Sequence, residues 1–232
     1  MKKALATFAL VTLTATIVRA DVELGWDVAG HGSPADTSLT ASTIGPDISG
    51  MPALTRTGLT ANGAGNSFNS TNWNVSGTFD ETNQYIGFTL TAANPISLTD
   101  LNYAVNGSNT APNMGEWGYR VNGSGSFTLQ GTFALANAAP TTLSTWDFAD
   151  VHLNSGDSVE FRFWAFGTTA INSTAAAATS GTVRIANLPT AGNDDLVLNG
   201  NPAAAIPEPT TIGLLGLGLI GTWAVGYRRS RK

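Results

Sequence analysis

Apolar and polar residues alternate with a period of two in short bursts through the middle of the chain, and Gly/Asn/Ser clusters separate the bursts. The clearest burst runs from Asp157 to Phe166. A strand there puts Val159, Phe161, Phe163 and Ala165 on the core side, and Glu160, Arg162, Trp164 and Phe166 on the other. Further strands are expected at Tyr85 to Thr91, Leu98 to Val105, Glu116 to Val121, Ser126 to Phe133, Gly181 to Asn187 and Asp195 to Leu198. Trp117, Tyr119 and Val121 alternate inward in one of them, Val183 and Ile185 in another. The segments 157–166 and 181–187 are expected to pair as a hairpin across the Ser/Thr/Ala loop 168–180, with Glu160 or Arg162 opposite Arg184. Residues 29–72 have little periodicity and predict loops and short edge strands. Turn clusters such as Asn106-Gly107-Ser108-Asn109 and Asn154-Ser155-Gly156-Asp157 punctuate the pattern, and no internal repeat is present. The reading is an all-β fold: a single β-sandwich or jelly-roll-like domain over residues 21–200.

The two ends follow a different logic. Lys2 and Lys3 precede an uncharged apolar run from Ala4 to Val18, and Val18-Arg19-Ala20 closes it. This is the layout of a secretory signal peptide over residues 1–20, with cleavage expected between Ala20 and Asp21. At the other end, a short linker at 201–206 leads to Pro207-Glu208-Pro209. A Gly/Leu-rich run from Thr210 to Tyr227 follows, and then Arg228, Arg229, Arg231 and Lys232. The run sits near the lower length limit for a transmembrane helix, about 17 residues. The basic stop-transfer tail would stay on the cytoplasmic side. A domain outside and a tail inside is the expected topology of the precursor.

Setting these ends aside changes the charge. All three lysines and four of the eight arginines lie in the targeting segments, whereas all 16 acids fall between residues 21 and 209. Residues 21–209 therefore hold four arginines (56, 120, 162 and 184) against those acids, a net charge of −12. Such a domain does not bind nucleic acid by neutralising phosphates. It attracts divalent cations, although acidity also simply keeps an exported protein soluble. Cysteine is absent, which excludes disulfides, thiolate metal sites and cysteine nucleophiles.

The Pro-Glu-Pro element, the glycine-rich span and the Arg-rich end, in that order over residues 206–232, resemble the PEP-CTERM sorting signal of bacterial exported proteins. The resemblance implies that exosortase, a membrane-embedded transpeptidase-like enzyme, recognises Pro207, Glu208 and Pro209. Processing near the motif then directs the domain to the envelope, the cell surface or the extracellular matrix. The two prolines hold the backbone extended, the form a protease-like cleft binds. The body, over roughly residues 70–200, is also loosely similar to the jelly-roll-type domains found ahead of such tails.

Candidate chemistry in the body is sparse. The two histidines, His31 and His152, are far apart in sequence, and no serine has the flanking glycines of a nucleophile elbow. Neighbouring acids (Asp147 and Asp150, Asp157 and Glu160, Asp194 and Asp195) are the one route to glycoside cleavage, which needs two carboxyls facing each other across a groove. Asn154 to Asp157 and Asn193 to Asp195 supply oxygens of the kind calcium takes, so Asp157, Asp194 and Asp195 are candidate Ca²⁺ ligands. The same residues also suit plain turn chemistry. Trp164 and Phe166, on the polar side of their strand, are candidates for a sugar-stacking platform. The chain reads as a non-enzyme with a structural or binding role. The alternatives are a carbohydrate-binding module, with extracellular polysaccharide as partner and calcium as stabiliser, and then a carbohydrate-active hydrolase.

Overall fold

The computed structural model describes residues 21–33, 36–189 and 193–202. The signal-peptide segment 1–20, the end of the linker and the tail 207–232 lie outside the described residues. Among the described residues there are seventeen strands and no helix. In chain order they begin with β1 (Asp21–Trp26), β2 (Ser38–Thr40), β3 (Thr43–Ile44), β4 (Ile48–Ser49), β5 (Ala53–Thr57) and β6 (Thr60–Ala61). The central ones are β7 (Ser67–Thr71), β8 (Tyr85–Ala92), β9 (Ile96–Tyr103), β10 (Val105–Gly107), β11 (Pro112–Val121) and β12 (Thr128–Leu129). The last are β13 (Phe133–Ala134), β14 (Ser144–Leu153), β15 (Ser158–Ala170), β16 (Val183–Ala186) and β17 (Leu196–Pro202).

These form three antiparallel sheets. One has five strands in the order β14-β9-β17-β1-β3; another has four in the order β10-β16-β7-β6. The largest has eight, running β12-β11-β15-β8-β5-β2, with β13 added on β11 and β4 on β8. The chain passes from the five-stranded to the four-stranded sheet at Ala104, the one residue between β9 and β10.

A single aromatic core joins them. Phe161 of β15 stacks on Phe88 of β8 at 5.1 Å, and Phe88 lies 4.5 Å from Trp26 in the five-stranded sheet. Phe163 is flanked by Trp117 at 5.1 Å and by Trp73 at 5.7 Å. Tyr119 meets Trp146 and Phe148 across the same gap. Phe68, Val183 and Ile185 of the four-stranded sheet belong to this core as well. Ring pairs at these distances stabilise by about 0.5–1.5 kcal/mol beyond their buried area.

Most expected strands stand where the alternation put them, and Val159, Phe161, Phe163 and Ala165 are all fully buried. Three points differ. First, β15 does not pair with β16. It lies between β11 and β8, while β16 lies between β10 and β7 in another sheet. The loop after β15 folds back on its own strand, where Ala177 N–H reaches the Thr168 carbonyl and Ala170 N–H the Ala175 carbonyl. It therefore cannot act as a hairpin turn. Arg184 bonds the Asn106 side-chain oxygen at 2.6 Å instead. Second, the segment 126–133 is broken into β12 and β13. Between them Gly131 has φ +95°, and the buried Glu116 carboxylate accepts from Gly131 N–H and the Thr132 hydroxyl. Third, Asn201 and Pro202, assigned to the linker, are the end of β17, opposite Ser97 and Ile96.

Two strands had no counterpart in the expectations, β1 and most of β14. In addition β5 and β7, in the segment read as loops and edge strands, are interior to their sheets, and Asn106 and Gly107, read as a turn, belong to β10. In β14 a register shift between Asp147 and Val151 breaks the alternation, so that Trp146 and Phe148 are followed inward by Val151 and Leu153.

The shift in β1 between Val22 and Leu24 leaves Glu23 buried, with Oε2 unpartnered. Burial first, then the charges of Asp47 and Asp21, push its pKa from 4.5 up to about 7. The folded state thus keeps a proton that the unfolded chain releases near its ordinary pKa. The stability this confers is complete below that value and is lost as pH rises through about 7. Denaturant unfolding should therefore show lower stability at pH 8 than at pH 5. Glu23→Gln, neutral at both, should recover about 1–3 kcal/mol at pH 8 and flatten the difference.

Candidate functional site

The outer face of the eight-stranded sheet carries Glu160 together with two of the four arginines of the body, Arg120 and Arg162. Strand register fixes which side chains neighbour one another there. Thr55 of β5 is opposite Gly87 of β8, and Gly87 is opposite Arg162 of β15. One row to one side stand Tyr85 and Trp164; one row to the other stand Thr89, Glu160 and Arg120. Gly87 contributes no side chain, and the Tyr85 ring packs into the space a Cβ would take, 3.3 Å from that position. A hollow of about 320 Å³ lies there, lined by Met51, Thr55, Tyr85, Gly87, Thr89 and Glu160 among others.

Glu160 is held by two cations. Arg120 Nε donates to Oε2 at 2.8 Å, and Arg162 Nε and Nη2 both reach Oε1 at 2.6 Å. The guanidiniums are themselves packed on rings: Arg162 lies 4.0 Å over Tyr85 and 4.8 Å from Phe127, and Arg120 lies 4.8 Å from Phe127. The two remaining cations of the body are also engaged internally. Arg56 lies over Phe68 at 3.4 Å and bonds Ser70 and Asn69; Arg184 bonds Asn106.

Trp164 and Phe166 do face this side, but not the solvent. They form a second apolar cluster with Phe127, against which Phe79 and Tyr85 pack. Phe79 stacks on Trp164 at 4.8 Å and Phe127 meets it edge-on at 5.1 Å. Trp164 is 1% exposed and Phe166 4%. The open platform expected of this pair is replaced by a covered one, because the chain preceding β8 and the chain between β11 and β12 bring Phe79 and Phe127 over them. Trp26, Trp73, Trp117 and Trp146 are likewise buried.

The three candidate calcium ligands are dispersed, and each has its own hydrogen bonds. Asp157 accepts from the Asn122 and Asn154 side chains and from the Asn154 backbone, which hold its pKa below the usual carboxylate range. Asp194 accepts from the Ser42 and Thr43 hydroxyls. Asp195 is buried, and its oxygens take the backbone N–H groups of Val28 at 2.9 Å and Leu188 at 2.6 Å. Its pKa is raised by burial, against the opposing effect of those two bonds. Among the described residues no three His, Asp or Glu side chains gather closely enough to hold a metal ion.

Of the neighbouring acids, Asp157 is in the turn just described, while Glu160 is bound by arginines on the sheet face; Asp147 and Asp150 are exposed on β14, with Asp147 opposite Asp100 of β9. His31 stands 3.8 Å from Asp36, and His152 is exposed on β14 opposite Ser97. Sequence reasoning missed the Gly87 hollow. Its one legible signal was a glycine inside a strong strand pattern, which marks a bulge or a concavity.

Asp195 joins β17 to the segment after β1, so its loss strands two buried N–H groups. Asp195→Ala should lower unfolding stability by about 2–4 kcal/mol in urea melts, whereas the exposed Asp150→Ala should change it by less than about 0.5 kcal/mol.

Residues 205–232 match the PEP-CTERM protein-sorting motif. No curated protein matches the chain. The segment that resembled this signal is therefore the one that matches, with its boundary one residue earlier. Pro207, Glu208, Pro209 and the basic residues Arg228, Arg229, Arg231 and Lys232 all fall inside it, beyond the described residues. The chain carries the PEP-CTERM protein-sorting motif, and with it the mark of an exported, envelope-directed protein recognised by exosortase.

Proposed function

We propose that this protein is a non-catalytic component of the cell surface or extracellular matrix: a β-sandwich body exported by its N-terminal signal, held briefly in the membrane by residues 210–227, and released or transferred once exosortase acts near Pro207-Glu208-Pro209. The observation that carries this reading is the sorting motif at 205–232 behind an all-β body. A scaffold role fits the way the body is closed. The last strand, β17, is hydrogen-bonded on both sides, by β9 and by β1, so the chain leaves a sheet interior and not an edge. Tension on the tail would be met by seven register pairs with β9 and five with β1. A non-catalytic role fits Glu116, Glu160, Asp157 and Asp195, each of which is committed to its own hydrogen-bond or charge partners.

A binding role is the second reading, favoured by the hollow on the outer face of the eight-stranded sheet. Extracellular polysaccharide is the partner it suits.

The sorting step is tested by immunoblot and mass of the protein in membrane and medium fractions. The natural chain should give a shortened product outside the membrane. Glu208→Ala should leave full-length precursor in the membrane fraction; normal trimming of that variant would refute the role assigned to the motif.

A further inference from the structure

We infer that the hollow over Gly87 is a glycan subsite that takes one pyranose ring, its apolar face toward Tyr85 and its hydroxyls on Glu160, Thr55 and Thr89. This deepens the binding role proposed above and rests on it. The volume, about 320 Å³, is at the lower end of the ~300–1,000 Å³ of small-ligand sites, so it admits a ring and not a long chain segment.

The lining has the chemistry for a polyol. Glu160 Oε1 is already occupied by two bonds from Arg162, whereas Oε2 accepts only one, from Arg120. A carboxylate oxygen has two lone pairs, so Oε2 keeps one for a hydroxyl donor, and such a charge-assisted bond is about twice as strong as a neutral one. The arginines hold that oxygen in place before any ligand arrives, which reduces the ordering cost of binding. Thr55 donates its hydroxyl to the Gly87 carbonyl at 3.2 Å, and this leaves its oxygen free to accept. Thr89 is exposed one row away, next to Glu160. Tyr85 is half-buried and supplies an aromatic surface for the C–H face of a sugar.

The same details argue against other ligands. Both guanidiniums near the hollow are bound to Glu160 and packed on Tyr85 and Phe127, so an anionic ligand finds no free countercharge. Gly87 is paired on both sides, with Thr55 and Arg162, so an added peptide strand finds no open sheet edge. A neutral polyhydroxylated ring needs neither.

The test is calorimetric titration of the exported protein with trisaccharides of glucose, mannose, galactose and glucuronic acid. At least one neutral trisaccharide should bind with Kd near 1 mM, and the glucuronate should bind more weakly than its neutral counterpart. Thr89→Trp fills the hollow from an exposed position. It should weaken binding at least tenfold while leaving the melting temperature unchanged, and Glu160→Gln should weaken it about tenfold. No binding by any of the four sugars, or full affinity in Thr89→Trp, overturns the subsite. Where the same protein still sediments with extracellular polysaccharide, that result strikes the subsite alone; where it does not, it strikes the binding role beneath it.

Discussion

The inward side chains of β15, Val159, Phe161, Phe163 and Ala165, are withdrawn from solvent completely, and on its other face Arg162, Trp164 and Phe166 are nearly so. A strand covered on both sides is held by packing from two directions, and its neighbours β11 and β8 inherit its register through long antiparallel ladders. The inner face sets the spacing of the sheets, because Phe161 meets Trp146 and Phe148 of β14 across the gap while Phe88 and Trp117 flank Phe161 and Phe163 on the neighbouring strands. The outer face decides where the surface is closed and where it is open. Phe79 and Phe127 cover the end of the strand at Trp164 and Phe166, and the cover stops before Glu160. The hollow is what remains at that boundary.

Charge follows the same division. The few arginines of the body are spent inside it, over Phe68, Tyr85 and Phe127 or against Asn106 and Glu160. The acids are distributed over turns and sheet faces, where Asn, Ser and Thr side chains satisfy them. The fold therefore owes little to surface ion pairs, which in any case contribute at most about 1 kcal/mol each. Its net negative charge is a property of the exterior. Three acids are enclosed instead: Glu116 and Asp195 accept backbone N–H groups, and Glu23 lies in the first strand without a countercharge, where proton binding substitutes for an ion pair.

The first and last strands are neighbours, with Asp21 opposite Gly200 and Trp26 opposite Leu196. Closing that pair brings together residues almost the whole body apart in sequence. It is the slowest kind of contact to form, because the loop entropy must be met before the pairing rewards it. The sheet that contains it is complete only when β17, the last segment before the sorting motif, has joined.

The sequence alone settled what depends on local order. Three elements of the tail must follow one another within a short stretch, so Pro207-Glu208-Pro209 and the basic end were legible without any fold. The inward set of β15 and of Trp117 was legible too, because a period of two is written into consecutive residues. Tertiary structure decided whatever depends on which strands meet. That Glu160 binds Arg120 and not Arg184, that Trp164 is roofed by Phe79 and Phe127, and that Asp195 serves two buried N–H groups are consequences of long-range pairing, for which adjacent residues carry no signal. The register shifts in β1 and β14 hid those strands for a related reason: one extra residue reverses the alternation, and only the partner strand shows that the chain continues.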